Sequence, residues 1–130
     1  MRALVIMPGP MHLILDGHKS WEIRRGRCLI RELIGLIESG SGTVVGVAEL
    51  SDCIGPLTRE LRIHNARKMG ITKLEASERW PTDYYAWLLQ KRMRLRRPVP
   101  YKHPNGIVRW VPLPKAVEAN VRAQLKSRYS

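Results

Sequence analysis

Turn formers cut this chain into short pieces, and that punctuation limits what it can become. Pro8-Gly9-Pro10, Gly17, Ser39-Gly40-Ser41-Gly42, Gly70 and His103-Pro104-Asn105-Gly106 interrupt its apolar runs, and such residues bend a backbone more readily than they extend it. Only short strands and short helices fit between them. Ala3 to Met7, Trp21 to Arg25, Leu33 to Glu38 and Thr43 to Ser51 read as strands, the last two joined in hairpin fashion. Tyr84 to Gln90 alternates as a strand, Arg92 to Val99 reads as another or as a long basic connection, and Ile107 to Leu113 reads as the last. A helix is predicted from Pro10 through Leu15, with proline in its first turn and Gly17 beyond its end. A second runs from Pro56 to Met69 with Leu57 and Leu61 on one face; a third begins at Thr72, where Glu75 completes a capping-box pattern and Trp80-Pro81 stops it. Pro114 opens a C-terminal helix carrying Val117, Val121 and Leu125 in one stripe. The pattern is α+β. No repeat or low-complexity tract divides it, so residues 1–113 form one domain and 114–130 a basic helix packed on it or extending from it.

At 130 residues the chain is long enough to bury a core. It contains no Phe, so Leu, Ile and Val must fill that core with help from Trp and Tyr. Charge is the strongest compositional statement: 23 Lys and Arg against 11 Asp and Glu give +12. A surplus of that size on a small domain favours a polyanionic partner, because cations fixed on phosphates release condensed counterions. Cys28 and Cys53 have no metal-ligand spacing and no partners for a disulfide framework; they read as reduced, buried residues of a cytoplasmic protein. The four histidines have no helical ligand spacing, so no metal and no other cofactor is expected. The opening apolar run ends at Pro8 and is too short for a leader, and no segment approaches the roughly 20 apolar residues a membrane helix needs.

Within this frame, Gly17-His18-Lys19-Ser20-Trp21-Glu22-Ile23-Arg24 concentrates chemistry. If Trp21 to Arg24 is extended, Glu22 and Arg24 share one face and Trp21 and Ile23 the other. Lys19, at the turn into the strand, can swing toward the polar face. The plain alternative is a Glu22–Arg24 ion pair on a solvated strand face, which contributes little.

The pattern Gly-x-Lys-x-x-Glu-x-Arg resembles the signature of the ASCH domain family, relatives of the PUA-like RNA-binding barrels. Met11 to Leu15, Ser39 to Gly46, Tyr84-Tyr85-Ala86-Trp87, and Pro98-Val99-Pro100-Tyr101 through Gly106 and Trp110 agree in order, so the resemblance spans roughly residues 3 to 113. It implies a PUA-like β-barrel with flanking short helices and a cleft holding Lys19, Glu22 and Arg24 as the catalytic candidates. It further implies RNA binding, with a ribonuclease acting on single-stranded RNA as the first reading. The alternatives are an amidohydrolase that deacylates a modified cytidine nucleoside and a regulatory module without catalysis. In the deacylating relatives a threonine stands at the position matching Glu22 and a distant glutamate completes the set; Glu75 and Glu78 are the nearest candidates here.

For the ribonuclease reading, Glu22 would serve as base, Arg24 as a clamp on the phosphorane charge, and Lys19 as acid or second clamp, with Tyr85 or His64 assisting. Nucleic-acid contacts are expected from Arg25, from Trp21, Tyr84 and Tyr85 as stacking surfaces, and from Arg92, Arg94, Arg96 and Arg97. In an extended chain Arg92, Arg94 and Arg96 share one side and Met93 and Leu95 the other, an anchored ribbon facing phosphates; the alternative is a charged edge strand that resists aggregation. Trp80, Tyr101 and Trp110 complete the aromatic inventory, with Trp87 and Trp110 expected in the core.

Overall fold

The computed structural model describes residues 1–79, 83–106 and 108–129, the side chains of 127–129 excepted. Its frame is the pairing of two long strands, β4 (Thr43–Ile54) and β5 (Tyr84–Pro100). Around them lie β1 (Arg2–Ile6), β2 (Trp21–Arg25), β3 (Glu32–Glu38) and β6 (Trp110–Pro112), in the order β2-β5-β4-β3-β1-β6. All neighbours are antiparallel except β1 and β3. The sheet curls into a half-barrel, as expected of a PUA-like α+β fold, and leaves β2 and β6 as its two edges. Trp87 of β5, the strand next to edge β2, and Trp110 of edge β6 stack with centroids 6.0 Å apart, bringing the two sides of the curled sheet together.

Helix α1 (Pro8–Leu15) begins at a proline pair, whose fixed φ suits a first turn, and buries Met11 and Ile14 against Leu4, Leu36, Leu50, Trp87 and Leu89. Cys28 and Cys53 lie in the same cluster. The opposite face of the sheet is covered by α4 (Lys115–Tyr129), which buries Val121 and Leu125 against Val44, Val47, Leu95 and Val99; Gln124 also bonds both the N–H and the carbonyl of Arg97. A third cluster packs Trp21 and Ala86 with Leu57, a 3-10 turn (Ala66–Met69) and α3 (Lys73–Glu78), while α2 (Arg59–His64) is tied to α3 through the Arg62 guanidinium on the Ala76 carbonyl.

Three expectations change. Residues 84–100 form one strand, not two elements, because the 12-residue β4 offers a continuous partner and register shifts absorb the irregular stretches. Lys91, with φ +49°, marks one of them. The predicted helix over 56–69 is broken: α2 starts only after Thr58, whose hydroxyl accepts from Leu61 N at 3.1 Å, and stops at Asn65. There the Asn65 amide donates to the Leu61 carbonyl at 2.7 Å, competing with helix propagation. Leu61 is consequently exposed, and Arg62 is the buried residue, its guanidinium donating to the Ala76 and Leu57 carbonyls. The last strand is shorter than 107–113, and residue 107, like the Trp80-Pro81 stop, lies outside the described residues. The capping box of α3 forms as read, with Thr72 and Glu75 bonded reciprocally.

Candidate functional site

Strand β2 alternates as its sequence predicts. Trp21 and Ile23 pack under the helical cap, while Glu22 and Arg24 turn to the other face and line a concavity of about 790 Å³. Lys19 reaches this face from the turn after α1, where Gly17 adopts φ +86° and the Leu13 carbonyl accepts from both His18 N and Lys19 N. The 3-10 turn grips the same segment: Ser20 N donates to Lys68 O at 2.8 Å, and Lys19 Nζ donates to Met69 O at 3.1 Å and to Trp21 O at 2.7 Å. The Glu22 carboxylate stands 3.6 Å from the same ammonium as its ion-pair partner. Gly70 follows at φ +73°, so close that a Cβ there would meet the Lys19 Cβ at 3.3 Å.

Glu22 is therefore held from two sides. Its Oε1 faces Lys19, and its Oε2 takes Arg24 Nε at 2.9 Å and Nη2 at 2.8 Å. Arg24 Nη2 also donates to the Val5 carbonyl at 2.8 Å, so this side chain of edge strand β2 reaches β1 across the seam of the half-barrel. The solvated-face alternative does not hold: Lys19 and Glu22 are 6% and 7% exposed. Burial lowers the pKa of Lys19, opposed by the charge and hydrogen bond of Glu22 and aided by the nearby Arg24 and Arg79 guanidiniums. Two buried charges are stable here because each polar atom finds a partner.

The cluster stands where two concavities meet. Glu22 lines both the 790 Å³ pocket on the Arg24 side and a second of about 680 Å³ on the Lys19 side, where Arg79 is also found. Glu22, itself only 7% exposed, is thus fixed by two cations at the border of both concavities. The three charges sum to a net positive centre that suits an anionic ligand.

The other candidates are dispersed. Trp21 is core, with the Lys68 ammonium 5.4 Å from its ring centroid. Arg25 is exposed on the opposite face of β2 from Glu22, its guanidinium 5.5 Å from the Tyr84 ring. Tyr85 packs against the interior cluster under Arg27, and His64 lines a separate groove beside α2. Trp87 is buried and Trp110 half-buried. Glu75 and Glu78 are exposed; hydrogen bonds from Thr72 commit Glu75 to its helix cap and lower its pKa. On the ribbon, Leu95 is buried and Met93 half-buried, while Arg94, Arg96 and Arg97 are exposed. Arg92 is half-buried, with Nη1 donating to Leu89 O at 3.0 Å, so the bulge at Lys91 withdraws it from the row. Trp80 lies outside the described residues.

The structure adds groups that were not among the expected site residues. Arg109, just before β6, lines the larger pocket with Arg24, and Tyr101 and His103 bring a hydroxyl and an imidazole to it. The Met69 and Val5 carbonyls hold the cluster's cations, but a backbone acceptor carries no residue signature. Arg109 beside Trp110 was the one signal that could have been read.

No family model and no curated protein sequence matches this chain. Solved structures do. The ASCH protein of Zymomonas mobilis superposes with a TM-score of 0.69 at 17% identity, covering 94% of this chain and 93% of that one. Two single-substitution variants of it give TM-scores of 0.71 and 0.69, again at 17% identity, over 96% and 94% of their chains. An agreement of backbone over nearly the whole of both chains fixes the architecture: this chain has the ASCH domain fold.

Proposed function

We propose that the protein binds single-stranded RNA and cleaves it at the Glu22 carboxylate. The observation that carries this reading is the position of Glu22, shared by two concavities and clamped between Lys19 and Arg24. Glu22 removes the proton from a ribose 2′-hydroxyl, the freed oxygen attacks the adjacent phosphorus, and the 5′-oxygen leaves with a proton from solvent in the open pocket. The products are a 2′,3′-cyclic phosphate and a 5′-hydroxyl. Arg24 offsets charge that grows on the phosphorane oxygens. Lys19 already donates to Trp21 O and Met69 O and pairs with Glu22 by charge; it acts as a fixed cation that orients the base. The ribbon of Arg94, Arg96 and Arg97 and the overall +12 supply attraction for the phosphate chain.

One observation favours a second reading. Burial lowers the Lys19 pKa, the change a lysine needs before it can serve as base or nucleophile in removing an acyl group from a cytidine. A single assay separates the two. Purified protein is incubated with a mixed-sequence single-stranded RNA and, separately, with an acylated cytidine. Cyclic-phosphate ends that vanish in Glu22→Gln support the ribonuclease. Release of free acid with intact RNA transfers the site to deacylation, and neither product, with salt-dependent RNA binding retained, leaves a binding module.

A further inference from the structure

The larger concavity contains more than the Glu22 cluster requires. Arg24 and Arg109 both lie on the Trp87 indole, 5.8 and 5.7 Å from its centroid. Both are tied to one residue of β1: the Val5 carbonyl accepts from Arg24 Nη2 at 2.8 Å, and the Val5 N–H donates to the Arg109 carbonyl at 3.0 Å. Their chemistry differs, however. Arg24 spends one edge of its guanidinium on Glu22, whereas among the described residues no carboxylate pairs with Arg109. A guanidinium resting on an aromatic plane is held by its face and keeps its N–H edges available, the arrangement that forks onto a phosphate.

The rest of the pocket suits the rest of a nucleotide. Met7, 64% exposed, joins Pro10 and Val108 in an apolar wall against which a base can lie. Tyr101 and His103 line the same pocket, the hydroxyl and Nδ1 2.6 Å apart, a pair that offers hydrogen bonds to sugar or base. A volume of about 790 Å³ is ample for one nucleotide, within the range of small-molecule pockets.

We propose that this pocket seats a single nucleotide unit, with its phosphate forked by Arg109 and its base against the Met7–Pro10–Val108 wall. The proposal rests on the nucleic-acid reading of the Glu22 site and names the residue that would set its phosphate register. It treats a free nucleoside monophosphate and the terminal nucleotide of an RNA alike, since both present the same groups.

The test is titration of the full chain with cytidine 5′-monophosphate, cytidine and a 5′-phosphorylated tetranucleotide, followed by tryptophan fluorescence and by calorimetry. The monophosphate is expected to bind at least tenfold more tightly than the nucleoside. Arg109→Ala should erase that preference while nucleoside binding stays within twofold, and Arg109→Lys should restore only part of it. Arg96→Ala, on the ribbon, should leave it intact. Equal binding of nucleotide and nucleoside, or an Arg109→Ala protein indistinguishable from wild type, overturns the proposal. Tight binding of the tetranucleotide alone, with no response to the monophosphate, also overturns it, because the affinity would then come from elsewhere on the surface. Cleavage is scored in parallel. Nucleotide binding through Arg109 without RNA cleavage sinks the ribonuclease and keeps the subsite, whereas cleavage unaffected by Arg109→Ala does the reverse.

Discussion

Two basic regions of this molecule use charge in opposite ways. Around Glu22, Lys19 and Arg24 are withdrawn from water and fixed by carbonyls and a carboxylate, with the Lys19 side chain 7% exposed. Along β5, Arg94, Arg96 and Arg97 stand in solvent; Arg94 pairs with Asp16 at 2.9 Å, and both partners are about half exposed. In the first region every charge is determined by its neighbours, and the arrangement is rigid and costly to disturb. In the second, charges are interchangeable and screened. Position matters in one and sum matters in the other, the division that the proposed cleavage site and the proposed RNA track would need.

Removing one member of the buried cluster should break this contrast most severely. Glu22→Ala leaves the Lys19 ammonium buried without its counter-charge, and urea unfolding should report a loss of about 3–5 kcal/mol. The double variant Lys19→Met with Glu22→Leu should recover part of that loss, since the buried lysine charge is gone and only Arg24, still bonded to the Val5 carbonyl, is left without its carboxylate. A single-variant loss as small as that of a surface pair would mean that water screens the cluster after all.

A smaller effect follows from proton linkage at Lys19, whose pKa is lowered from the ordinary 10.5 mainly by burial. Between its lowered folded value and 10.5, the unfolded chain holds a proton that the folded chain has released. Unfolded molecules bind more protons there, so this group makes stability rise with pH across that window. Denaturation midpoints measured through the alkaline range should show this rise in wild type and lose it in Lys19→Met. A rise that survives the substitution must come from another group.

Gly70→Ala comes next. Its left-handed φ of +73° and a prospective contact of 3.0 Å to Leu13 Cδ1 predict a cost of about 1–2 kcal/mol, with Lys19 displaced from the Met69 carbonyl. Least disruptive are Arg94→Ala, Arg96→Ala and Arg97→Ala, each expected to change stability by less than about 0.5 kcal/mol. Combined, they should reduce the slope of log affinity for single-stranded RNA against log salt by about 2. An unchanged slope would remove the ribbon from the interface and blur the distinction between the regions.

Much of this could be read in advance where the information is local. The period-two pattern of Trp21 to Arg25 foretold which side chains of β2 would share a face, and the Thr72–Glu75 spacing foretold a cap. Short-range chemistry decides both. What escaped depends on contacts distant along the chain. Lys19 meets Met69 across 50 residues, and Arg24 meets Val5 across 19. The unity of β5 escaped for the same reason: its bends at Lys91 and beyond are imposed by the register of β4, so Arg92, alternating correctly on paper, turns partly inward. Trp21 looked equally fit to stack a base or fill a core. With no Phe in the chain and two helical segments needing an anchor, the interior claimed it.

Val5 occupies a peculiar position in this arrangement. Its peptide oxygen holds the Arg24 guanidinium and its peptide nitrogen holds the Arg109 backbone, so the placing of both arginines is dictated by main-chain geometry that any residue but proline supplies. Side-chain scanning would pass over it as an ordinary aliphatic. Replacing an amide by an ester at this point, which swaps the N–H for an oxygen and leaves the valine side chain intact, would loosen Arg109 while leaving the Arg24 contact in place.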